Sequence, residues 1–124
     1  MNHVYSFEKL QVWNDARELV KITYKYTLKF PNYELYGLSN QMRRAVVSIT
    51  SNISEGSGRS SIKDQAHFYQ MAYSSLLELL NQFYVSLDLG YLNMDELAKV
   101  KDHIFLVSNK LNALRKAVLN SLAV

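Results

Sequence analysis

Three short stretches of the sequence combine residue types that could do chemistry. Asp64-Gln65-Ala66-His67 puts a carboxylate and an imidazole one helical turn apart, the spacing of one ligand pair in a di-iron helix bundle. Asn52-Ile53-Ser54 matches the acceptor sequence for N-linked glycosylation, and Gly56-Ser57-Gly58-Arg59 has the glycines of a phosphate-binding loop. A metal centre, a glycan or a bound phosphate would each imply a different function.

Each stretch lacks a part that its chemistry requires. A di-iron bundle needs two Glu-x-x-His motifs and two more inward glutamates, whereas the sequence has one Asp-x-x-His. Glycosylation requires a secretory signal, which the first residues do not resemble. A phosphate loop places its glycines before a helix, but here they follow an apolar helical pattern. We therefore predict no catalytic site, no metal and no cofactor, and we interpret Gly56 and Gly58 as a left-handed C-terminal cap.

The composition indicates one intracellular domain. The 124 residues are 48% hydrophobic, which is enough for a full core in a single domain spanning residues 1–124. There is no Cys, so disulfides and thiolate metal sites are excluded. Polar residues interrupt each apolar segment before the ~18 residues that a membrane span needs. We expect a cytoplasmic protein with no membrane role.

Apolar residues at three- and four-residue spacing predict helices over about 9–30, 39–56, 61–89 and 93–121. Pro31 marks the first boundary, Ser39 could cap the second helix, and Ser61 with Asp64 begins the third. Short connections favour an all-α, antiparallel up-and-down, left-handed four-helix bundle. The predicted positions in or beside the core are Trp13, Met42, Ile49, Leu76, Leu79, Ile104 and Leu111.

Much of the chain resembles a known protein family. The sequence YGLSNQMRRAVVSITSNISEGSGR, preceded by FEKLQVW and followed by FYQMAYSSLLELLNQ and LGYL, is similar to the proteins encoded in intervening sequences of bacterial 23S ribosomal RNA genes. Thr50 and Ser54 stand where that family often has Pro and Ala. The resemblance implies a four-helix subunit, commonly a homopentamer, with no known enzymatic activity. It also implies kinship with the accessory protein of diversity-generating retroelements, a basic barrel that binds nucleic acid and a reverse transcriptase.

Charge is segregated along the chain although the net charge is only +3. Residues 17–63 hold eight Lys and Arg against three acids, whereas residues 64–98 hold five acids and no Lys or Arg. Basic residues every four positions on the first helix form one slanted row, because each step turns by about 40°. RNA or DNA is therefore a candidate partner, with these candidate contacts: Arg17, Lys21, Lys25, Lys29, Arg43, Arg44, Arg59, Lys63, Lys110, Arg115 and Lys116. The alternative is a solvated face, with Arg43 or Arg44 tied to Glu55 or Glu78.

The third helix suggests self-association. Between Asp64 and Asp88 the only charged residue is Glu78, and apolar residues are predicted to point in nearly every direction. A lone bundle needs an apolar stripe only, so the excess predicts a surface covered by another subunit or a partner protein. Candidate interface residues are Phe68, Tyr73, Leu77, Leu80, Tyr84 and Leu106. The acidic residues 64–98 would then lie near a neighbour's basic residues in a head-to-tail contact. We expect that contact to close into a ring, for which the family resemblance favours five copies. A structural or protein-interaction oligomer without any nucleic-acid role is the second hypothesis.

Overall fold

A computed structural model describes residues 2–123 and contains four long helices. They are α1 (Gln11–Thr27), α2 (Leu38–Ser57), α3 (Ile62–Asp88) and α4 (Met94–Asn120), with short 3₁₀ turns at Ser6–Lys9, Asn32–Glu34 and Ser121–Ala123. No β-strand occurs within this range, which confirms the all-α prediction. Over the same residues, none of the helices combines the length and the apolar character that crossing a bilayer would take.

The hydrophobic core lies where the four helices meet. α2 packs against α1 and α3, and α4 packs against α3 and α1. Six of the predicted core residues are buried, and Trp13 is half-buried at the edge of the core. The side chains that are fully shielded from solvent include Leu19, Met42, Ile49, Ile53, Leu76, Leu79 and Phe83. Burial of this set is the main source of stability for the fold.

Contacts between α2 and α3 fix their register. The Ser86 hydroxyl lies 3.4 Å from the Met42 sulfur, and the hydroxyls of Ser48 and Ser75 are 3.0 Å apart. Near the other end of α2, Gly56 faces Tyr69 of α3. Small residues at these crossings let the two helices approach closely.

Helix α1 ends three residues earlier than its apolar pattern predicts. Its last helical residue is Thr27, and the Phe30 amide donates to the Thr27 carbonyl in a tight turn. Phe30 is nevertheless buried in the core. Pro31 explains the early end, because a proline disfavours helical geometry in the residue before it.

The prediction that Ser39 caps α2 is wrong, although α2 begins within one residue of the predicted position, whereas Ser61 caps α3 as predicted. Ser61 accepts a hydrogen bond from the Asp64 amide at 3.0 Å, and Asn93 forms a reciprocal capping box with Glu96. Ser39 lies inside α2 and is buried, and Gly37 occupies the position before the helix. A serine early in a helical pattern can be an interior residue when its hydroxyl faces a neighbouring helix.

A hydrogen-bond cluster joins the connectors at one end of the bundle. The Tyr91 hydroxyl donates to the Glu34 carboxylate at 2.8 Å and lies 3.1 Å from the Tyr33 hydroxyl. The hydrogen bond with Tyr33, followed by that with Glu34, raises the pKa of Tyr91 well above its usual value. The α1–α2 connector is therefore held against the turn between α3 and α4.

The prediction of a left-handed cap at Gly56 and Gly58 is also wrong. Gly58 has φ −92° and ψ −4°, and Gly56 is a buried residue within α2. The only positive φ among residues 2–123 belongs to Gly90, at +80°, just after α3. A Cβ at Gly56 would lie 2.8 Å from Tyr69 Cε1 and 2.9 Å from Phe68 Cβ. Gly56 is thus required by close helix packing and not by turn geometry.

This contact gives a prediction on stability. We expect Gly56→Ala to be less stable than Gly58→Ala by about 1–3 kcal/mol, because the added methyl overpacks the contact with α3. Gly58→Ala is a matched control, since its Cβ would meet nothing closer than 3.7 Å. Urea unfolding of both variants measures the difference, and equal midpoints and slopes would contradict the packing role.

Candidate nucleic-acid and assembly surfaces

Four basic side chains are exposed, three of them on α1 and the fourth, Lys29, two residues beyond its last residue Thr27. We call Arg17, Lys21, Lys25 and Lys29 the α1 basic row. The Arg17 guanidinium sits 4.7 Å from the centre of the Trp13 ring, and Lys21 pairs with Glu18 at 3.5 Å. Lys25 and Lys29 form no ion pair with any residue in the range 2–123. The row therefore presents positive charge to solvent with little internal neutralisation.

Two arginines of α2 lie beside this face. Arg43 Nε donates to the Thr27 hydroxyl at 3.0 Å, and its guanidinium lies 5.0 Å from the Tyr24 ring centre. Arg44 is exposed. Neither arginine pairs with a carboxylate among the described residues, so the suggested ties to Glu55 or Glu78 are not formed. Both cations remain available to an anionic partner.

Lys99 is a basic residue that the sequence prediction missed. It lines a small cleft of ≈ 160 Å³ between α1 and α4, together with Ile22, Lys25 and Tyr26. Burial, followed by the negative charge of Glu96, raises the pKa of Tyr26, so its hydroxyl stays neutral here. The α1–α4 register, which periodicity does not give, is what brings Lys99 beside Lys25.

Two of the predicted nucleic-acid contacts, Lys110 and Arg59, form ion pairs within the chain. Lys110 Nζ lies 2.6 Å from the Asp15 carboxylate in a half-buried ion pair between α4 and α1. Arg59 pairs with Glu55 at 3.8 Å and covers the Phe68 ring at 4.2 Å. Arg115 is half-buried, and its Nε is shielded from solvent without a hydrogen-bond partner among the described residues. By contrast, Lys63 and Lys116 are exposed.

An exposed apolar surface runs between α3 and α4. Lys101 Nζ donates to the Tyr84 hydroxyl at 2.9 Å, which raises the pKa of Lys101 and fixes the alignment of the two helices. Phe105, one turn beyond Lys101, is 65% exposed, and Leu77 is 47% exposed. We call Leu77, Leu80, Tyr84 and Phe105 the α3–α4 apolar edge. Leu106 is exposed on α4, and Tyr73 is half-buried against the core.

The prediction that apolar residues cover nearly every side of α3 is wrong. Its outward side carries the exposed polar residues Gln70, Ser74, Glu78 and Asn81. Phe68 faces α2, beside Gly56 and beneath Arg59, so it is separate from the α3–α4 apolar edge. The apolar arc is wide because α3 packs against both α2 and α4 along its length. Phe105, in contrast, is exposed and was not predicted.

Two open polar grooves flank α2. One lies between α2 and α3 with a volume of ≈ 790 Å³, and the other extends from α2 towards Tyr24 of α1 with a volume of ≈ 750 Å³. Asn40, Arg44 and Ser48 line both grooves. The exposed side of α2 is therefore a continuous surface of amide, hydroxyl and guanidinium groups.

No cluster of metal-binding side chains is present in the part of the chain that the structure describes. Groups of three or more His, Cys, Asp or Glu placed to hold a metal ion do not occur among residues 2–123. His67 is exposed at the edge of Phe68, with ring centres 6.2 Å apart. Asp64 serves the start of α3 through its backbone amide.

Comparisons with known proteins agree with this architecture. The sequence model of the family described as 23S rRNA-intervening sequence protein matches residues 8–113. A similar structure is that of a protein with unknown function from the S23 ribosomal protein family of Bacteroides thetaiotaomicron, with a TM-score of 0.74 and 19% sequence identity. The alignment covers 85% of this chain and 98% of that one. No curated protein matches the chain.

Proposed function

Because the chain belongs to the 23S rRNA-intervening sequence protein family, we propose that it is a non-enzymatic scaffold that binds RNA through the α1 basic row. The subunit would be an antiparallel up-and-down, left-handed bundle that acts in the cytoplasm. Support for the antiparallel order comes from the contact pairs Met42 with Ser86 and Gly56 with Tyr69, in which residue numbers rise along α2 as they fall along α3.

The exposure of the α1 basic row carries the proposal for RNA. All four side chains reach solvent, and only Lys21 of the four forms an ion pair among the described residues. Arg43 and Lys99 flank the row on its two sides, next to Tyr24 and Lys25 respectively. Cations spread along one helix can follow a phosphate backbone and displace its condensed counterions.

We further propose that the subunits assemble head to tail through the α3–α4 apolar edge. Phe105 and Leu77 would lose their exposure against a neighbouring copy, and aromatic residues are common anchors in such contacts. Residues 64–98, which belong to α3, the following turn and the start of α4, hold five acids and no Lys or Arg, so a neighbour's basic surface would be complementary in charge to this part of the subunit. A contact between different surfaces closes into a ring, and five copies would follow the family resemblance. A ring would repeat the α1 basic row around its circumference.

The second candidate function is a protein-interaction or structural oligomer without a nucleic-acid role. Intramolecular ion pairs favour this candidate, because Lys110 pairs with Asp15 and Arg59 pairs with Glu55. In that case the α3–α4 apolar edge would serve a copy of this chain or another protein, such as a reverse transcriptase. The two candidates differ in whether RNA binds and how that binding depends on salt.

A salt titration of RNA binding tests the proposed function. We expect the logarithm of the association constant to fall with the logarithm of salt concentration with a slope of about −3, because each of four contacts contributes about −0.7 on a single strand. Fluorescence anisotropy with a labelled RNA measures this slope. A range of roughly 50 to 300 mM KCl is suited to it. An uncharged peptide nucleic acid of the same sequence is the matched control and should not bind. A slope near zero would favour the second candidate.

A further inference from the structure

A buried glutamine without a hydrogen-bond donor lines the groove between α2 and α3. Gln82 is only 7% exposed, and its Oε1 is shielded from solvent and has no partner among residues 2–123. A buried acceptor without a donor costs free energy, and native proteins rarely leave one. The terminal amide torsion of glutamine is broad, so rotation about it can turn Oε1 towards the groove that the side chain lines. A donor group of a ligand in the groove would satisfy it.

The other groups of the groove define what such a ligand must offer. Arg44 supplies guanidinium donors, and Glu78 supplies a carboxylate that only accepts. Neither forms an ion pair within the described residues, and both are exposed. Tyr36 stands at the rim with 92% of its surface exposed, available as a stacking platform. The groove thus combines a carboxylate acceptor, a carboxamide whose acceptor has no partner, one cationic donor and one free aromatic face.

We propose that this groove binds an unpaired guanine base. The Watson–Crick edge of guanine carries two neighbouring N–H donors, at N1 and N2, beside the O6 acceptor. Glu78 and Gln82 match the two donors, and Arg44 matches O6. No other common base has two donors next to one acceptor on that edge. Proteins read single-stranded RNA in this way, with an aromatic platform and side chains along the base edge.

This inference rests on the proposed binding of RNA, and it adds recognition of a base. Arg44 lines both grooves of α2, so the guanine site continues into the groove that contains Arg43 and Tyr24. Arg43 is in turn bonded to Thr27 of α1, next to the α1 basic row. A strand whose phosphates follow α1 can therefore place one unstacked base across α2.

The test uses the full chain and the four nucleoside monophosphates, followed by NMR chemical shifts. We expect GMP to bind at least about fivefold more tightly than AMP, CMP or UMP, the lower end of the discrimination typical for a good base contact. Backbone signals of Arg44, Asn81 and Gln82 should move with a common saturation curve. Gln82→Leu keeps the buried shape and removes the acceptor, so it should abolish the preference for GMP. Gln70→Leu, on the outward side of α3 and away from the groove, is the matched control and should preserve it.

The outcomes separate this site from the proposed function. Equal binding of the four nucleotides, or an unchanged preference in Gln82→Leu, would overturn the guanine site while RNA binding through α1 still stands. A preference for GMP that is retained by a protein unable to bind RNA would support the site and reject the RNA function. If a second copy of the chain covers the groove instead, GMP will shift no signal there and Arg44→Glu will lower the mass in solution. That result would also overturn the proposal.

Discussion

Changing Arg17, Lys21, Lys25 and Lys29 together to Glu is expected to weaken RNA binding by about 600-fold or more at 0.1 M salt. At that concentration each phosphate contact on a single strand contributes about 0.7 of a logarithmic unit, so four lost contacts remove almost three units. Repulsion between the new carboxylates and phosphates adds to the loss. The salt slope should approach zero in the same variant, and fluorescence anisotropy gives both quantities.

The fold should tolerate this change. All four side chains are exposed, and the only ion pair lost among the described residues is the surface contact between Lys21 and Glu18. Such surface pairs contribute little to stability. The contact of Arg17 with Trp13 is also lost, at a cost of about 0.5–1 kcal/mol. Thermal unfolding should therefore move by only a few degrees.

A matched pair of triple variants separates the position of charge from its amount. The first variant changes Lys21, Lys25 and Lys29 to Glu. The second variant changes Lys9, Lys63 and Lys116 to Glu, so both alter the net charge by the same amount. All six side chains are exposed. We expect the first variant to lose much more RNA affinity than the second. Equal losses would show that bulk charge, and not the α1 basic row, governs binding.

Helix positions and most of the core were predictable because their signals are local. A capping residue such as Ser61 or Asn93 bonds a backbone amide three residues away, and that spacing is visible in the sequence. Apolar residues repeat along a helix because one side of it is buried. The cap of α2 was misassigned because Ser39 has the same residue type as a cap but is buried inside the helix.

Gly56 shows where local signals fail. In sequence, Gly56 and Gly58 both look like a helix stop, and α2 does end at Ser57. Only the structure shows Gly56 packed against Tyr69 of α3, because that contact depends on how two helices cross. Lys99 and Phe105 were missed for the same reason. The place of Lys99 beside Lys25 depends on how α4 lies against α1, and the exposure of Phe105 depends on which side of α4 the other helices cover.

The exposure of the α1 basic row was easier to predict from the sequence than the exposure of apolar residues on α3. The α1 basic row needs only the helical repeat and an exposed face, both of which the sequence carries. The interface prediction counted all apolar residues on α3, including those that are buried against α2 and α4. The structure leaves Leu77, Tyr84 and Val85 as the large apolar side chains of α3 that are exposed, and adds Phe105 from α4.

A single substitution, Phe105→Glu, is expected to dissociate the assembled protein into single subunits. The wild-type protein should have a mass several times 14.3 kDa in light scattering at micromolar concentration, and Phe105→Glu should reduce it to about one subunit. Phe105 is 65% exposed on the isolated chain, so the substitution costs the subunit little. In the proposed interface the same position would bury a carboxylate without a partner, and unpaired buried charge is strongly unfavourable.

A matched pair of leucines tests whether the α3–α4 apolar edge is the contact. Leu77→Glu lies on the edge and should dissociate the assembly, whereas Leu28→Glu lies at the end of α1 and should leave the mass unchanged. Leu28 is the more exposed of the two, at 79% against 47%, so general apolar adhesion would make it the more sensitive position. Dissociation by Leu77→Glu alone therefore indicates a specific interface, because only shape and register distinguish it from the other exposed leucine. A wild-type mass near 14.3 kDa, or an assembly that survives both Phe105→Glu and Leu77→Glu, would refute the proposed ring.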